Sequence, residues 1–171
     1  WGRLNLLEQL QPLTTGSRGA NVVDEEHYKV TLPPYKFEAG VLNTSGVIGL
    51  GRAIQYVEEI GYEAIRDHIR DLTVYMIESL RATAGVTFHG SGRLDRQAGI
   101  AMWTVDGMDP DQVARELDRI GNVAVASGAQ GSLLAIKPKG VTSIVRTSVH
   151  YCNTQEDIDA LAAALRKIVP R

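Results

Sequence analysis

The 171-residue sequence has a single cysteine, Cys152, and lacks several other features that would point to particular classes of protein. One cysteine excludes an internal disulfide and any metal site built from several cysteines. The four histidines show neither HxH nor HExxH spacing, so the sequence does not predict a zinc site. No apolar run approaches the roughly 20 residues needed to cross a bilayer.

An excess of charge of one sign is also lacking. The 18 basic and 20 acidic residues give a net charge of -2, and both signs are mixed along the chain. Nucleic-acid binding needs a basic footprint that this composition does not provide. The sequence does not open with a charged and then apolar signal segment, so we expect a cytoplasmic protein. Apolar residues make up 44% of the chain, which is enough for a soluble globular domain with a core.

The first forty residues contain little that could form a core of their own. A short leucine pattern before Pro12 predicts a helix, and residues 14–20 have the glycines and hydroxyl side chains of a loop. Polar residues and a Pro-Pro pair within residues 21–34 allow only short extended pieces. Such a composition is expected of a segment that packs on something else.

From Asn43 onward the pattern predicts helices and strands that follow one another. Apolar residues recur at helical spacing after a capping residue, Thr44 or Ser45, and again over residues 62–83. Two further helices are predicted after the capping signals at residues 109 and 154. Strands are predicted at residues 86–89, 99–105, 123–126 and 144–149. This order predicts an α+β domain with helices packed on one face of a small sheet.

The last predicted strand contains one charged residue, Arg146. A guanidinium group within an apolar strand must find an anion or carry a desolvation cost of several kcal/mol. The residues alone favour a structural salt bridge, and a hook for an anionic ligand is the second interpretation. Both interpretations stay open at this point.

Several segments, taken as a set, resemble the class V aminotransferases of the cysteine desulfurase and selenocysteine lyase type. These segments are Pro33–Gly40, Asn43–Gly51, Tyr56–Gly61, Ile144–Ser148 and Tyr151–Ile158. The resemblance covers essentially the whole chain. It implies the C-terminal part of a fold type I enzyme, a transferase or lyase, that uses pyridoxal 5'-phosphate (PLP) and forms a homodimer.

The resemblance also implies a division of the chain into two parts. Residues 1–54 would be the tail of the large PLP-binding domain with a linker helix. Residues 55–171 would be the small C-terminal domain, whose sheet is mostly antiparallel. The partners implied are the protein's own N-terminal portion, a second subunit and a small amino-acid substrate.

In this family an arginine at the position of Arg146 binds the α-carboxylate of the substrate. The planar fork of an arginine side chain suits this role because it pairs with both carboxylate oxygens. The resemblance therefore reverses the preference and favours the ligand hook. Gln130, in the loop after residues 123–126, is either a hydrogen-bonding partner of the substrate or a turn residue.

The contact to the PLP phosphate departs from the family pattern. A threonine that reaches the phosphate in the family is replaced here by Val41, whose side chain has no donor. Asn43 or Thr44 either takes over this cofactor contact or simply caps the following helix.

Two catalytic groups of the family are not found at matching positions. The lysine that binds PLP covalently is expected upstream of the segment matching Trp1–Arg3, and the lysines present lie in other motifs: Lys29, Lys36, Lys137, Lys139 and Lys167. The nucleophilic cysteine of the desulfurases falls near Gly131, which provides no thiolate.

From these departures we expect the chain alone to be inactive, with no catalytic residue of its own. Its parent would more readily be a lyase, an epimerase or a transaminase than a desulfurase. The alternative is a non-catalytic binding or scaffold domain that retains the small-domain fold without the cofactor site.

Overall fold

The computed structural model describes residues 1–91, 93–94, 97–129 and 133–169. The chain divides into two compact units, Trp1–Tyr56 and Val57–Arg171. Among the described residues, no helix combines the length and the apolar character needed to cross a membrane.

The first unit consists of short elements and one long helix. Its elements are α1 (Leu4–Gln9), β1 (Ala20–Val22), β2 (Tyr28–Val30), a 3-10 turn (Tyr35–Phe37) and α2 (Thr44–Ile60), whose last residues belong to the second unit. Strands β1 and β2 pair in an antiparallel hairpin. The short helix before Pro12 and the short extended pieces are therefore confirmed.

The first unit has almost no core, as predicted. All 56 residues of this unit are described. Apart from Gly19, the only buried residue among them is Lys36, which is 5% exposed. The Lys36 ammonium donates a hydrogen bond to the carbonyl oxygen of Glu8 at 2.9 Å. This contact joins the 3-10 turn to α1.

Of the three residues that the sequence offers as caps for helix α2, Asn43 provides the capping atom. Its Oδ1 accepts from the backbone N–H of Gly46 at 3.0 Å. A Cβ atom at Gly46 would lie 2.5 Å from the Asn43 side-chain amide, so glycine at this position makes room for the cap. The helix ends at Ile60, directly before Gly61, whose φ of 94° is in the left-handed region.

The described residues of the second unit form four α-helices and four strands. In chain order they are α3 (Tyr62–Arg81), β3 (Val86–Phe88), β4 (Ile100–Val105), α4 (Pro110–Gly121), β5 (Ala126–Gly128), α5 (Leu133–Ile136), β6 (Ile144–Ser148) and α6 (Gln155–Ile168). The strands form one sheet in the order β3-β4-β6-β5, and every neighbouring pair is antiparallel. The α+β class and the antiparallel sheet are confirmed.

The core lies between one face of this sheet and helices α3, α4 and α6. Along β4 the buried residues alternate, because a strand points successive side chains to opposite faces. The buried apolar cluster is formed by Leu72, Met76, Ile77, Leu80, Ala101, Trp103, Val105, Val113, Leu117, Val145, Val149, Ile158, Leu161, Ala164 and Leu165. The predicted layer of helices on one sheet face is therefore confirmed.

Both helix caps predicted in this unit are present. The side chain of Asp109 accepts from the backbone N–H groups of Asp111 and Gln112 at the start of α4. Thr154 and Asp157 form a reciprocal capping box at the start of α6.

The region between α4 and β6 differs from the prediction. Strand β5 covers Ala126–Gly128, so the predicted strand at residues 123–126 is wrong by about three residues. Val123 and Val125 pack against the core without belonging to the strand, which explains the apolar signal. Asn122 ends α4 in the left-handed conformation, φ 51°. The short helix α5 was not predicted.

Candidate functional site

The sheet face turned away from the helices carries Arg146. Its neighbours Val145 and Thr147 are buried toward the helix layer, so Arg146 points to the opposite face. In the sheet register Arg146 lies beside Met102 of β4 on one side and beside Ala126 of β5 on the other. Met102, Arg146 and Ala126 thus form a cross-strand row over β4, β6 and β5.

The guanidinium group of Arg146 has a donor without a partner. Its Nε atom is buried and makes no hydrogen bond, and in the described part of the chain no carboxylate forms an ion pair with it. A buried donor left unpaired costs free energy, and this cost is larger for a charged group. The described residues therefore do not provide the structural salt bridge that was the first interpretation from the residues alone.

Strand β6 is held firmly on both sides of Arg146. The indole N–H of Trp103 donates to Thr147 Oγ1 at 2.9 Å, and both groups are buried. Beyond the strand, the backbone N–H of Val149 donates to the carbonyl oxygen of Gly99 at 2.7 Å. These contacts fix the register of the strand, so the position of Arg146 in the sheet is well defined.

The loop after β5 starts next to this row. Ser127 Oγ donates to Asp111 Oδ1 at 2.5 Å, which ties the end of β5 to the start of α4. Gln130, predicted to contact substrate, lies outside the described residues, as do Gly131 and Ser132. Its role stays a prediction.

Asn43 and Thr44, the predicted cofactor contacts, lie at the start of α2 in the first unit, whereas Arg146 belongs to the second. Besides the N–H of Gly46, Asn43 Oδ1 accepts from the Ser45 hydroxyl at 3.1 Å. The capping interpretation of Asn43 is therefore confirmed, and its cofactor role is untested. Because the first N–H groups of a helix have no intrahelical partners and the dipole is positive there, this end of α2 favours an anion.

None of the five lysines combines burial with an unused ammonium group. Lys36 is buried but donates to Glu8, and the other four are exposed: Lys29, Lys137, Lys139 and Lys167. A lysine that forms a covalent bond to a cofactor must be deprotonated, which burial favours.

His89 and Lys139 were not among the predicted site residues, and they lie close enough for the charge of Lys139 to act on His89. His89 follows β3 on the same sheet face as Arg146, because it hydrogen-bonds to the side chain of Thr104. Burial, and to a smaller extent the positive charge of Lys139, lowers the pKa of His89. The alternation of side chains along β3 would have indicated on which sheet face His89 lies. No local pattern indicates that Lys139, fifty positions further along the chain, lies near it.

Comparison with known proteins identifies the family. The sequence pattern of the aminotransferase class-V family matches residues 1–161. The chain belongs to this family. Among class V relatives, a probable cysteine desulfurase of Staphylococcus aureus is 34% identical over 167 residues, which make up 98% of this chain and 40% of the relative. The chain thus spans well under half the length of the curated relatives it matches.

Solved structures show the same fold. The apo structure of a cysteine desulfurase from Thermococcus onnurineus NA1 is 31% identical and superposes with a TM-score of 0.92, over 99% of this chain and 42% of that one. A lysine-to-alanine variant of C-DES, with glycine covalently linked to its PLP cofactor, is 18% identical with a TM-score of 0.75, over 97% of this chain and 40% of that one. The chain has the fold of a C-terminal part of these fold type I proteins, and its homologues depend on PLP.

Proposed function

We propose that this chain is the C-terminal part of a PLP-dependent class V enzyme that acts on a small amino acid, and that Arg146 anchors the substrate α-carboxylate. The observation that carries the proposal is the buried, unpartnered Nε of Arg146 on the sheet face opposite α3, α4 and α6. A carboxylate from a ligand would satisfy this donor and neutralise the charge. Without one, the group remains unpaired at a cost.

The exposed apolar side chains of the first unit support the presence of further protein around it. Trp1, Leu13 and Val41 are fully exposed, and α2 buries none of its residues. Apolar surface of this extent marks an interface. We assign residues 1–54 to the tail of a large domain and residues 55–171 to a small domain. Residues 1–54 would be covered by the protein's own N-terminal portion and by a second subunit in a cytoplasmic homodimer.

The residues present fit part of a PLP site. The start of α2, with Asn43 and Thr44, has the positive end of a helix dipole, which suits a phosphate, although the N–H of Gly46 is already paired with Asn43 Oδ1 and the Val41 side chain contributes no donor. The unpartnered guanidinium of Arg146 suits the carboxylate of an amino acid bound beside the cofactor. When bound, PLP supplies an electron sink that stabilises negative charge at the substrate α-carbon. The covalent lysine would come from the N-terminal portion.

Arg146 would contribute binding and orientation. Two parallel N–H···O bonds from a planar guanidinium fix both the position and the rotation of a carboxylate, which a lysine ammonium cannot do. Because β6 is held by the Trp103–Thr147 hydrogen bond, little freedom remains to be lost when the substrate binds. The expected chemistry of the parent is that of a lyase, an epimerase or a transaminase, since Gly131 provides no thiolate for desulfuration.

Kinetics of the intact parent, which includes the preceding segment, test this proposal. Arg146→Gln should lower kcat/KM by roughly 30- to 1,000-fold, which corresponds to the loss of a charge pair worth about 2–4 kcal/mol. Arg146→Lys should recover only part of this, because the charge is restored without the fork. Arg166→Gln, at an exposed position of α6, is the matched control and should leave kcat/KM unchanged. Equal kinetics for Arg146→Gln and the control would contradict the proposal.

A further inference from the structure

A second cationic position lies in the same cross-strand row as Arg146. The backbone N–H of His89 donates to the carbonyl oxygen of Met102 at 2.8 Å, which continues the pairing of β3 with β4. Met102 in turn lies opposite Arg146. Since neighbouring residues across antiparallel strands are about 5 Å apart, the Cα atoms of His89 and Arg146 are about 10 Å apart. The side chains of all three residues therefore share the sheet face opposite α3, α4 and α6.

A cavity of about 370 Å³ opens at the His89 end of this row. Its polar lining comes from His89, Ser91, Gln97 and Lys139, and its apolar lining comes from Ile100 and Met102. The described residues that line it include no carboxylate. Lys139 therefore gives the described part of the cavity wall a positive charge.

The hydrogen bonds around the cavity decide which groups can donate to an oxyanion. His89 Nε2 is paired with Thr104 Oγ1 at 2.8 Å. When the Thr104 hydroxyl donates this bond, the proton of the neutral ring lies on Nδ1, which is then a donor. Ser91 Oγ accepts from the side-chain amide of Gln97 at 3.0 Å and from the backbone N–H of Arg93 at 3.3 Å. Because these bonds use the acceptor capacity of the hydroxyl, its own proton is free to be donated.

We propose that this cavity binds a small oxyanion, a phosphate or a carboxylate group, through Lys139, Ser91 and His89. Such a site is not among the roles assigned above. The oxyanion is either a free ion or the second acidic group of a ligand whose first carboxylate pairs with Arg146. Only the second source rests on the proposed function.

Titration of the 171-residue chain with inorganic phosphate tests the cavity directly, with the imidazole resonances of His89 followed by NMR. A saturable shift of the His89 resonances is expected. Lys139→Gln should weaken the fitted affinity roughly ten-fold or more, as expected for the loss of a hydrogen bond to a charged group. Lys137→Gln is the matched control, since it removes the same charge from the same exposed turn without lining the cavity. The phosphate affinity of Lys137→Gln should stay within about two-fold of the affinity of the unsubstituted chain.

Two results would overturn the proposal. One is the absence of a saturable shift at His89 in the unsubstituted chain. The other is equal weakening by Lys139→Gln and Lys137→Gln, which would show only general attraction of anions to a basic surface. Neither result involves Arg146 or PLP, so a failure here is distinguishable from a failure of the proposed function.

A second titration separates the two sources of the oxyanion. Glutarate carries two carboxylates and acetate carries one. If the ligand reaches both cationic positions, glutarate should bind the unsubstituted chain at least ten-fold more tightly than acetate. Arg146→Gln should remove this advantage. If glutarate has no advantage while phosphate saturates the site, the cavity binds a free oxyanion.

Discussion

Replacing Thr147 by valine should destabilise the fold by leaving the indole N–H of Trp103 without a partner. Trp103 is fully buried and Thr147 is 9% exposed, so water cannot replace the lost acceptor. An unpaired buried donor costs about 1–3 kcal/mol. The valine methyl group recovers up to about 0.8 kcal/mol of apolar burial. With a penalty near 2 kcal/mol, the middle of this range, the net loss should be about 1–2 kcal/mol, or roughly 2–8 °C in Tm for a chain of this size.

Urea unfolding of the 171-residue chain, followed by circular dichroism, measures this loss. Thr87→Val is the matched control, because it makes the same change at an exposed position of β3 and should alter stability by less than about 0.5 kcal/mol. In a Trp103→Phe background, Thr147→Val should cost less, since phenylalanine has no N–H to satisfy. Equal stability of Thr147→Val and Thr87→Val would refute the reasoning.

Two further predictions concern the same scaffold. Gly99→Ala should lower the stability by roughly 2–5 kcal/mol for two reasons: Gly99 has a left-handed backbone conformation (φ +67°), and a Cβ atom there would lie 2.6 Å from the carbonyl oxygen of Val149. Gly107→Ala is the control, because Gly107 also has a positive φ but faces open space. An equally large loss of Tm at Gly107 would contradict the steric argument. Hydrogen bonds from the Asn153 side chain and then the Thr154 N–H lower the pKa of Asp157. Because the pKa of Asp157 is lower in the folded than in the unfolded chain, Asp157→Asn should destabilise the chain at neutral pH. The difference in urea midpoint between the original chain and the variant should disappear as the pH falls through the range in which carboxyl groups become protonated. A difference that stays constant down to acid pH would be inconsistent with this linkage.

The sequence predicts the helices and most of the sheet because their signals are local. Helix α3 has an apolar stripe over its full length, and α4 and α6 each begin at a side-chain cap. Strand β5 was misplaced because Val123 and Val125 are buried for packing, whereas the strand itself is Ala-Ser-Gly and pairs with β6 through backbone contacts. Local propensity carries no signal for a strand whose position is set by its partner.

The candidate site was only partly predictable for the same reason. A lone arginine in an apolar strand is visible in the sequence, and the family resemblance supplies a role for it. Whether a carboxylate elsewhere in the chain neutralises Arg146 depends on tertiary contacts, and the structure shows none from the described residues. The cavity beside His89 depends on sheet register and on Lys139, which lies fifty residues away. No local pattern predicts that neighbourhood.

The central claim is that Arg146 binds the α-carboxylate of an amino acid. The most direct test compares kcat/KM of the intact parent for an amino-acid substrate and for its α-carboxamide, in the original protein and in Arg146→Gln. The original protein should prefer the carboxylate by roughly 30- to 1,000-fold, as expected for a charge pair worth about 2–4 kcal/mol. Arg146→Gln should abolish most of this preference, because kcat/KM should fall for the carboxylate substrate and not for the carboxamide. A variant that keeps the full preference would show that another group binds the carboxylate.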